Sequence, residues 1–280
     1  MSRKTAWNYM RAVSENLNIA TESPSRGEAL KERVRAFWNG APCGFAHAGA
    51  PEGTREFFDQ VERRRDELEP FIPLFADFAG ARGKRVLEIG VGLGTDFVRF
   101  GRSGATLTGI DLTEHAVELV RRRLELEGLS GDVRVADAEK LPFEDASFDR
   151  VYSWGVLHHT PDTRRAVEEA VRVLRPGGEL CVMLYGRRSW VAYGMWIRNA
   201  LLRGRPWWSI SDVLARYMES EGTKAFTRDE LRALFSSVDN LRIDSIATPY
   251  DRSFAGPAVA LTGNRLGWFV VIRGTRPSTR

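Results

Sequence analysis

The 280-residue sequence has few of the residues from which disulfide frameworks and metal sites are built. It contains two cysteines, Cys43 and Cys181, and four histidines, and their spacing matches no zinc-binding pattern. We therefore expect no bound metal and a reduced, cytoplasmic protein. No apolar run near the N-terminus predicts a signal peptide, and no uncharged apolar stretch reaches the ~20 residues that span a bilayer.

A large excess of one charge is also absent. The formal net charge is +4, and 43% hydrophobic with 28% charged residues is typical of a soluble globular protein. Basic runs at residues 63–65, 121–123 and 273–280 are interpreted as solvated helix faces and a solvated tail. No aromatic residues alternate with them, so the sequence predicts no nucleic-acid partner.

The sequence does contain a regular alternation of short apolar segments and amphipathic helical patterns. This predicts an α/β fold with a doubly wound, mostly parallel sheet, whose last two strands form an antiparallel edge joined by a long irregular loop. Strands are predicted at residues 86–89, 106–110, 133–135, 148–154, 179–185, 241–247 and 268–272. Four parts are expected: an N-terminal helical segment and lid (1–80), an α/β core (81–185), an aromatic helical insertion (186–222) and the C-terminal part of the core (223–280).

A glycine-rich turn follows the first predicted strand, at Gly90, Gly92 and Gly94. Alternating glycines let a backbone pass close to a ligand, because no Cβ stands in the way. The dinucleotide fingerprint G-x-G-x-x-G needs a glycine where Thr95 stands, so the pattern does not favour a dinucleotide. Asp111 ends the second strand 21 positions after Gly90, where its carboxylate can accept both hydroxyls of a ribose or cap the next helix.

Asp137 and Ala138 end the third predicted strand in register with these two positions. If a ribose lies at Asp111, the attached base lies here, and the Asp137 carboxylate can accept an exocyclic amine. Leu112, Leu141 and Phe143 can line the ring. The pattern therefore predicts an adenosine-containing ligand along the ends of three strands.

Six segments together resemble one known family, the class I S-adenosylmethionine-dependent methyltransferases. The similarity is to their small-molecule branch, which includes the ubiquinone and menaquinone methylases. The segments occur in the family's order and spacing: 86–94 (VLEIGVGLG), 109–111 (GID), 137–143 (DAEKLPF), 148–149 (FD), 156–159 (VLHH) and 174–178 (LRPGG). The resemblance implies a seven-stranded sheet with an antiparallel last strand, S-adenosylmethionine as cofactor, and methyl transfer to a small molecule.

The resemblance also implies roles for individual residues. Glu88 and the three glycines would hold the methionine part of the cofactor, Asp111 the ribose, and Asp137 with Ala138 the adenine. Trp154 and Gly155 would lie near the methionine amine and the transferable methyl. The complete set of implied cofactor residues is Glu88, Gly90, Gly92, Gly94, Asp111, Leu112, Asp137, Ala138, Trp154 and Gly155.

The chemistry itself makes small demands on the protein, since alignment of nucleophile, methyl and sulfur supplies much of the acceleration. A hydroxyl or carbon acceptor can in addition need a general base. His158 and His159 are the candidates, because imidazole titrates near neutral pH and both follow the fourth strand. A noncatalytic role in the same motif stays open for both.

Two aromatic-rich segments, 37–72 and 186–222, flank the sheet and are expected to close the acceptor site. Core packing is the competing interpretation for these side chains. The candidate substrate residues are Trp38, Phe57, Phe58, Tyr185, Trp190, Tyr193 and Trp196. They favour an acceptor with apolar or ring surface: an aromatic, isoprenoid or sugar-containing metabolite. Residues 190–202, flanked by arginines, would also suit a membrane surface, but a soluble lid is favoured.

Two other functions are weighed against methyl transfer. An NAD-dependent dehydrogenase is disfavoured by Thr95 and by the 174–178 segment, and a noncatalytic cofactor-binding interaction protein by the complete glycine turn and Asp111. The sequence predicts neither the acceptor nor the oligomeric state.

Overall fold

Seven strands form one sheet in the order β3-β2-β1-β4-β5-β7-β6. They are seen in a computed structural model that describes residues 26–40 and 42–278. All neighbours are parallel except β7, which runs antiparallel to β5 and β6. The strands are β1 (Arg85–Ile89), β2 (Thr106–Asp111), β3 (Gly131–Val135), β4 (Phe148–Trp154), β5 (Leu174–Tyr185), β6 (Asp239–Ile246) and β7 (Phe269–Thr275).

Eleven helices connect or cover these strands in the described residues. They are α1 (Arg26–Gly40), α2 (Arg55–Leu68), α3 (Ile72–Ala76), α4 (Thr95–Arg102), α5 (Glu114–Glu127), α6 (Thr163–Val173), α7 (Trp190–Asn199), α8 (Ile210–Tyr217), α9 (Arg228–Leu234), α10 (Pro249–Ala255) and α11 (Ala258–Thr262). No described helix is long and apolar enough to cross a membrane.

Side chains of the central strand β1 alternate between two apolar clusters, one on each face of the sheet. Val86 belongs to a cluster that includes residues of α3, α4, α5, α7 and α8, whereas Leu87 and Ile89 belong to one that includes residues of α6 and α9. These three side chains are at most 1% exposed. Helices on both faces explain why the central strands are apolar along their whole length.

The predicted fold class is confirmed, including the antiparallel edge. The predicted helix signals also hold: Thr113 caps α5, and the capping box of Thr227 with Glu230 opens α9. The prediction of an irregular loop between β6 and β7 is wrong, because α10 and α11 lie there. Thr248 begins α10 with a capping box. Residues 1–25 of the predicted N-terminal segment (1–80) lie outside the described residues, and the four-part division stays a prediction.

Candidate active site

The glycine turn links β1 to α4 at the carboxyl edge of the sheet. Gly90, Gly92 and Gly94 have φ angles of 81°, 50° and 73°, which favour glycine. A Cβ on Gly90 would lie 2.2 Å from the side chain of Val156, so the turn packs tightly on its β4 side. A Cβ on Gly92 would meet no heavy atom within 4 Å. The backbone at Gly92 therefore faces open space that a ligand can approach.

Asp111, at the end of β2, is hydrogen-bonded to this turn. Its Oδ2 accepts the backbone N–H of Gly92 at 3.1 Å, and its Oδ1 accepts from the backbone and hydroxyl of Thr113 at 3.0 and 2.8 Å. Burial raises the pKa of the Asp111 carboxyl. The cap of α5 is Thr113, so Asp111 connects the turn with the helix start instead of capping the helix.

Glu88 lies inside β1, opposite Gly109 of β2 and Tyr152 of β4. It is 4% exposed, and its Oε2 has no hydrogen-bond partner in the described part of the chain. Burial raises the pKa of Glu88 well above its usual range, and the charges of Asp96 and Asp111 raise it further. A buried polar atom without a partner is unusual, and Oε2 can accept a hydrogen bond from a ligand group.

Asp137 already has partners on both carboxylate oxygens. Oδ1 accepts the backbone N–H of Glu139 at 2.9 Å, and Oδ2 accepts Lys31 of α1 at 2.7 Å. Lys31 also pairs with the Glu139 carboxylate at 3.0 Å. Ala138 beside it is buried, and Leu112 is half-buried. Helix α1 therefore lies over the end of β3, where the adenine is predicted.

A buried ion pair joins α2 to the start of α4. Arg65 pairs with Asp96 at 2.6 Å, and the same Asp96 oxygen accepts the hydroxyl of Tyr152 at 2.7 Å. Trp154 donates its indole N–H to Glu69 at 3.0 Å. Asp96 is 2% exposed, so it does more than begin a helix. No local sequence signal indicates this pairing, because the partners are 31 positions apart.

The prediction that the basic runs are solvated is wrong for some of their residues. Arg123 is 1% exposed, donates to the Leu93 carbonyl at 3.0 Å and pairs with Glu62. Burial lowers the pKa of Arg123 to about 10. In the run at 63–65, Arg65 is half-buried and pairs with Asp96. The signal for Arg123 was present in the sequence, since it shares a helix face with the apolar Val120, three positions earlier.

The two predicted base candidates lie in a short 3-10 turn, Leu157–His159, that follows β4. His158 is fully buried and neither ring nitrogen has a partner among the described residues. Its ring centroid lies 3.9 Å from that of Tyr185, and burial lowers its pKa well below the usual range. His158 is therefore uncharged at neutral pH.

His159 has polar neighbours at both ring nitrogens. Nδ1 lies 2.9 Å from the hydroxyl of Ser220 and 3.1 Å from that of Thr223. Nε2 lies 3.5 Å from Oε2 of Glu219, and the same oxygen accepts the hydroxyl of Tyr185 at 3.0 Å. Sequence reasoning missed Glu219, which is 60 positions from His159 and lies in no recognisable motif.

The predicted substrate residues do not form one group. Trp38 packs edge-on against His159 at 5.3 Å, and Tyr185 contacts both histidines. Phe57 and Phe58 are 1 and 2% exposed and lie in a separate cluster with Leu93 and Leu119. In α7, the indole of Trp190 donates to Thr262, that of Trp196 donates to the Trp208 carbonyl, and Tyr193 is half-buried.

The described residues contain no group of three or more His, Cys, Asp or Glu side chains arranged to hold a metal ion. The polar groups at this edge include the carboxylates of Glu88, Asp111 and Asp137 and the imidazoles of His158 and His159. Glu88 and the open space at Gly92 fit a ligand with hydrogen-bond donors.

Part of the chain is similar to known methyltransferases. Residues 87–182 match the model of a family described as a methyltransferase domain. The 27-O-demethylrifamycin SV methyltransferase of Amycolatopsis mediterranei (strain S699) is 38% identical over 127 residues, 44% of this chain and 44% of the relative. The demethylmenaquinone methyltransferase of Clavibacter sepedonicus is 38% identical over 146 residues, 47% of this chain and 58% of the relative.

Among solved structures, geranyl diphosphate C-methyltransferase from Streptomyces coelicolor A3(2) gives a TM-score of 0.61 at 18% identity. The match covers 91% of this chain and 100% of that one, and it shows the fold alone. The chain spans about half the length of the curated relatives it matches. The matched domain contains the glycine turn, Asp111, Asp137 and the histidine pair. Residues 87–182 are thus similar to a methyltransferase domain, and the chain has the Rossmann-like fold of a solved methyltransferase.

Proposed function

We propose that this protein transfers a methyl group from S-adenosylmethionine to a small-molecule acceptor with substantial apolar or ring surface. The observation that carries the proposal is Glu88, whose buried Oε2 lacks a partner in the described part of the chain, close in sequence to a glycine turn that is open at Gly92. The relatives named above methylate small molecules, as their names state, and the geranyl diphosphate enzyme was solved with S-adenosylhomocysteine.

The cofactor roles that we propose follow the carboxyl edge of the sheet. Glu88 and the turn at Gly90, Gly92 and Gly94 hold the methionine part, while the backbone at Trp154 and Gly155 borders the methyl. Asp111 holds the ribose, and Asp137, Ala138 and Leu112 surround the adenine. When bound, S-adenosylmethionine supplies a methyl group activated by the sulfonium charge, so orienting the acceptor is the main remaining task of the protein.

For the acceptor, we propose that His159 takes up the proton released by the attacking group. Glu219 lies 3.5 Å from Nε2 and would stabilise the charged imidazole that results. His158, buried and uncharged, packs against Tyr185 and positions this turn. Trp38 and Tyr185 contact the acceptor, Trp190, Tyr193 and Trp196 support the lid, and Phe57 and Phe58 serve packing.

The cofactor proposal is tested by calorimetric titration with S-adenosylhomocysteine, the stable product, and with NAD. We expect binding of S-adenosylhomocysteine and none of NAD. Asp111→Ala should weaken binding of S-adenosylhomocysteine by about 10- to 100-fold, because it removes hydrogen bonds between the ligand and a charged group. The control is Asp149→Ala, since Asp149 lies at the amino end of β4 and pairs with Arg85. NAD binding without S-adenosylhomocysteine binding would overturn the proposal.

The base is tested by transfer of labelled methyl from S-adenosylmethionine to a panel containing a phenol, a hydroquinone and a prenylated hydroquinone. His159→Gln should lower kcat by about 100-fold on any accepted compound, the usual value of general-base catalysis. The affinity for S-adenosylhomocysteine should not change. His47→Gln, outside this group, is the matched control. Full turnover by His159→Gln would rule out the base role and leave the cofactor proposal intact.

A further inference from the structure

The turn between α7 and α8 exposes apolar side chains in an ordered backbone. Residues 201–207, here named the basic tip, are exposed without interruption. Leu202 and Trp207 are each 75% exposed and Leu201 is 45% exposed. Three backbone hydrogen bonds of 2.9–3.1 Å close the turn, including Arg205 N–H to the Ala200 carbonyl. The opposite side of α7 is buried, so the fold fixes these apolar groups pointing away from the core.

The chain around the basic tip is rich in arginine. Six arginines and one acidic residue, Asp212, lie from position 187 to position 216, and Arg187 among them pairs with Glu230. The guanidinium of Arg203 stacks on Tyr217 at 5.5 Å, and that of Arg205 on Trp208 at 4.8 Å. Within the described chain neither arginine pairs with a carboxylate, whereas Asp212 bonds to its own helix cap. The charge at the tip is therefore available to an anionic partner.

We propose that the basic tip docks this protein on an anionic lipid surface. Leucine and tryptophan enter the boundary between headgroups and acyl chains, and arginines around them attract anionic headgroups. A stable protein interface needs about 800 Å² per partner, more than two leucines and one tryptophan supply. The closed turn also offers no backbone edge to a peptide strand.

The basic tip is separated from the residues around His159 by the length of α8. Helix α8 begins at Ile210, after the tip, and ends at Tyr217, two residues before Glu219, which contacts Tyr185 and lies next to His159. The docking proposal does not depend on methyl transfer, since its test measures binding alone.

The test is sedimentation of the full chain with phosphatidylcholine vesicles, with and without about 30% phosphatidylserine, at low and high salt. We expect the chain to bind the anionic vesicles. Its affinity should be at least about tenfold lower for neutral vesicles, and its affinity for anionic vesicles should fall at high salt. Leu202→Ser combined with Trp207→Ser should lose at least about tenfold in affinity. Arg203→Gln combined with Arg205→Gln should lose about as much on the anionic vesicles only.

Leu74→Ser is the matched control, because Leu74 is 87% exposed in α3 and its carbonyl lies beside Arg273 of β7, away from the basic tip. It should bind as the unaltered chain does. Circular dichroism checks that each variant is folded. Three results would overturn the proposal: no sedimentation with anionic vesicles, equal sedimentation of the Leu202→Ser, Trp207→Ser variant, or a dimer in solution that this variant abolishes.

Discussion

A buried carboxyl group without a partner destabilises a fold, and Glu88 is such a group at the centre of the sheet. Its raised pKa has the same origin, since burial and the nearby Asp96 and Asp111 disfavour its charge. If Glu88 holds the methionine part of the cofactor, the protein loses stability at this position and gains affinity for the cofactor. Residues placed for function in this way often reduce stability.

We predict that Glu88→Gln stabilises the protein and weakens S-adenosylhomocysteine binding. In the unfolded chain Glu88 ionises above pH ~4.3, whereas in the folded chain it stays protonated to higher pH. The folded state then binds more protons, so the stability contributed by Glu88 is present below pH ~4.3 and is lost as pH rises towards the folded pKa. Glutamine does not titrate and avoids this loss.

The measurement is urea denaturation at about pH 5 and about pH 7.5. The free energy of unfolding of Glu88→Gln should exceed that of the unaltered chain by about 1–3 kcal/mol at the higher pH and by less at the lower pH. Glu168→Gln, an exposed position on α6, should show no such difference. Equal stability of Glu88→Gln and the unaltered chain at both pH values would contradict the prediction.

At the scale of elements, the sequence was sufficient wherever the signal is local. Strand β1 is a short apolar segment stopped by glycine, and α5 begins at Thr113 and ends at Gly128. Each of these signals lies within a few residues of the element it defines. The glycine turn was predicted for the same reason, since its three positive φ angles depend on the glycines themselves.

Contacts between distant elements were not predictable in this way. Arg65 and Asp96 look like ordinary surface residues of α2 and α4 until the fold brings them to 2.6 Å. Glu219 reaches His159 only because the segment after α8 returns to the end of β4. Helix α10 is a different case, because the capping box of Thr248 with Asp251 is a local signal in the sequence.

For the molecule as a whole, α1 connects the end of β3 with the segment that follows α8. Lys31 holds Asp137 and Glu139 beyond β3, while Arg33 pairs with Glu221 at 2.7 Å beyond α8. Arg33 and Glu221 are 40 and 45% exposed, so their pair contributes at most about 1 kcal/mol. The Lys31 side chain is 9% exposed and faces two carboxylates, so we expect it to supply most of this connection.

Lys31→Met should therefore reduce the free energy of unfolding by about 2–3 kcal/mol, because it leaves two carboxylates close together without a cation. The same change should weaken S-adenosylhomocysteine binding about tenfold, since Asp137 loses the group that orients it. Lys84→Met is the control: Lys84 pairs with the half-exposed Glu179 at 3.2 Å, and its loss should cost under about 1 kcal/mol. Urea denaturation and calorimetry measure both effects. Unchanged stability in Lys31→Met would mean that α1 does not hold this edge together, and tighter binding would mean that Lys31 competes with the adenine for Asp137.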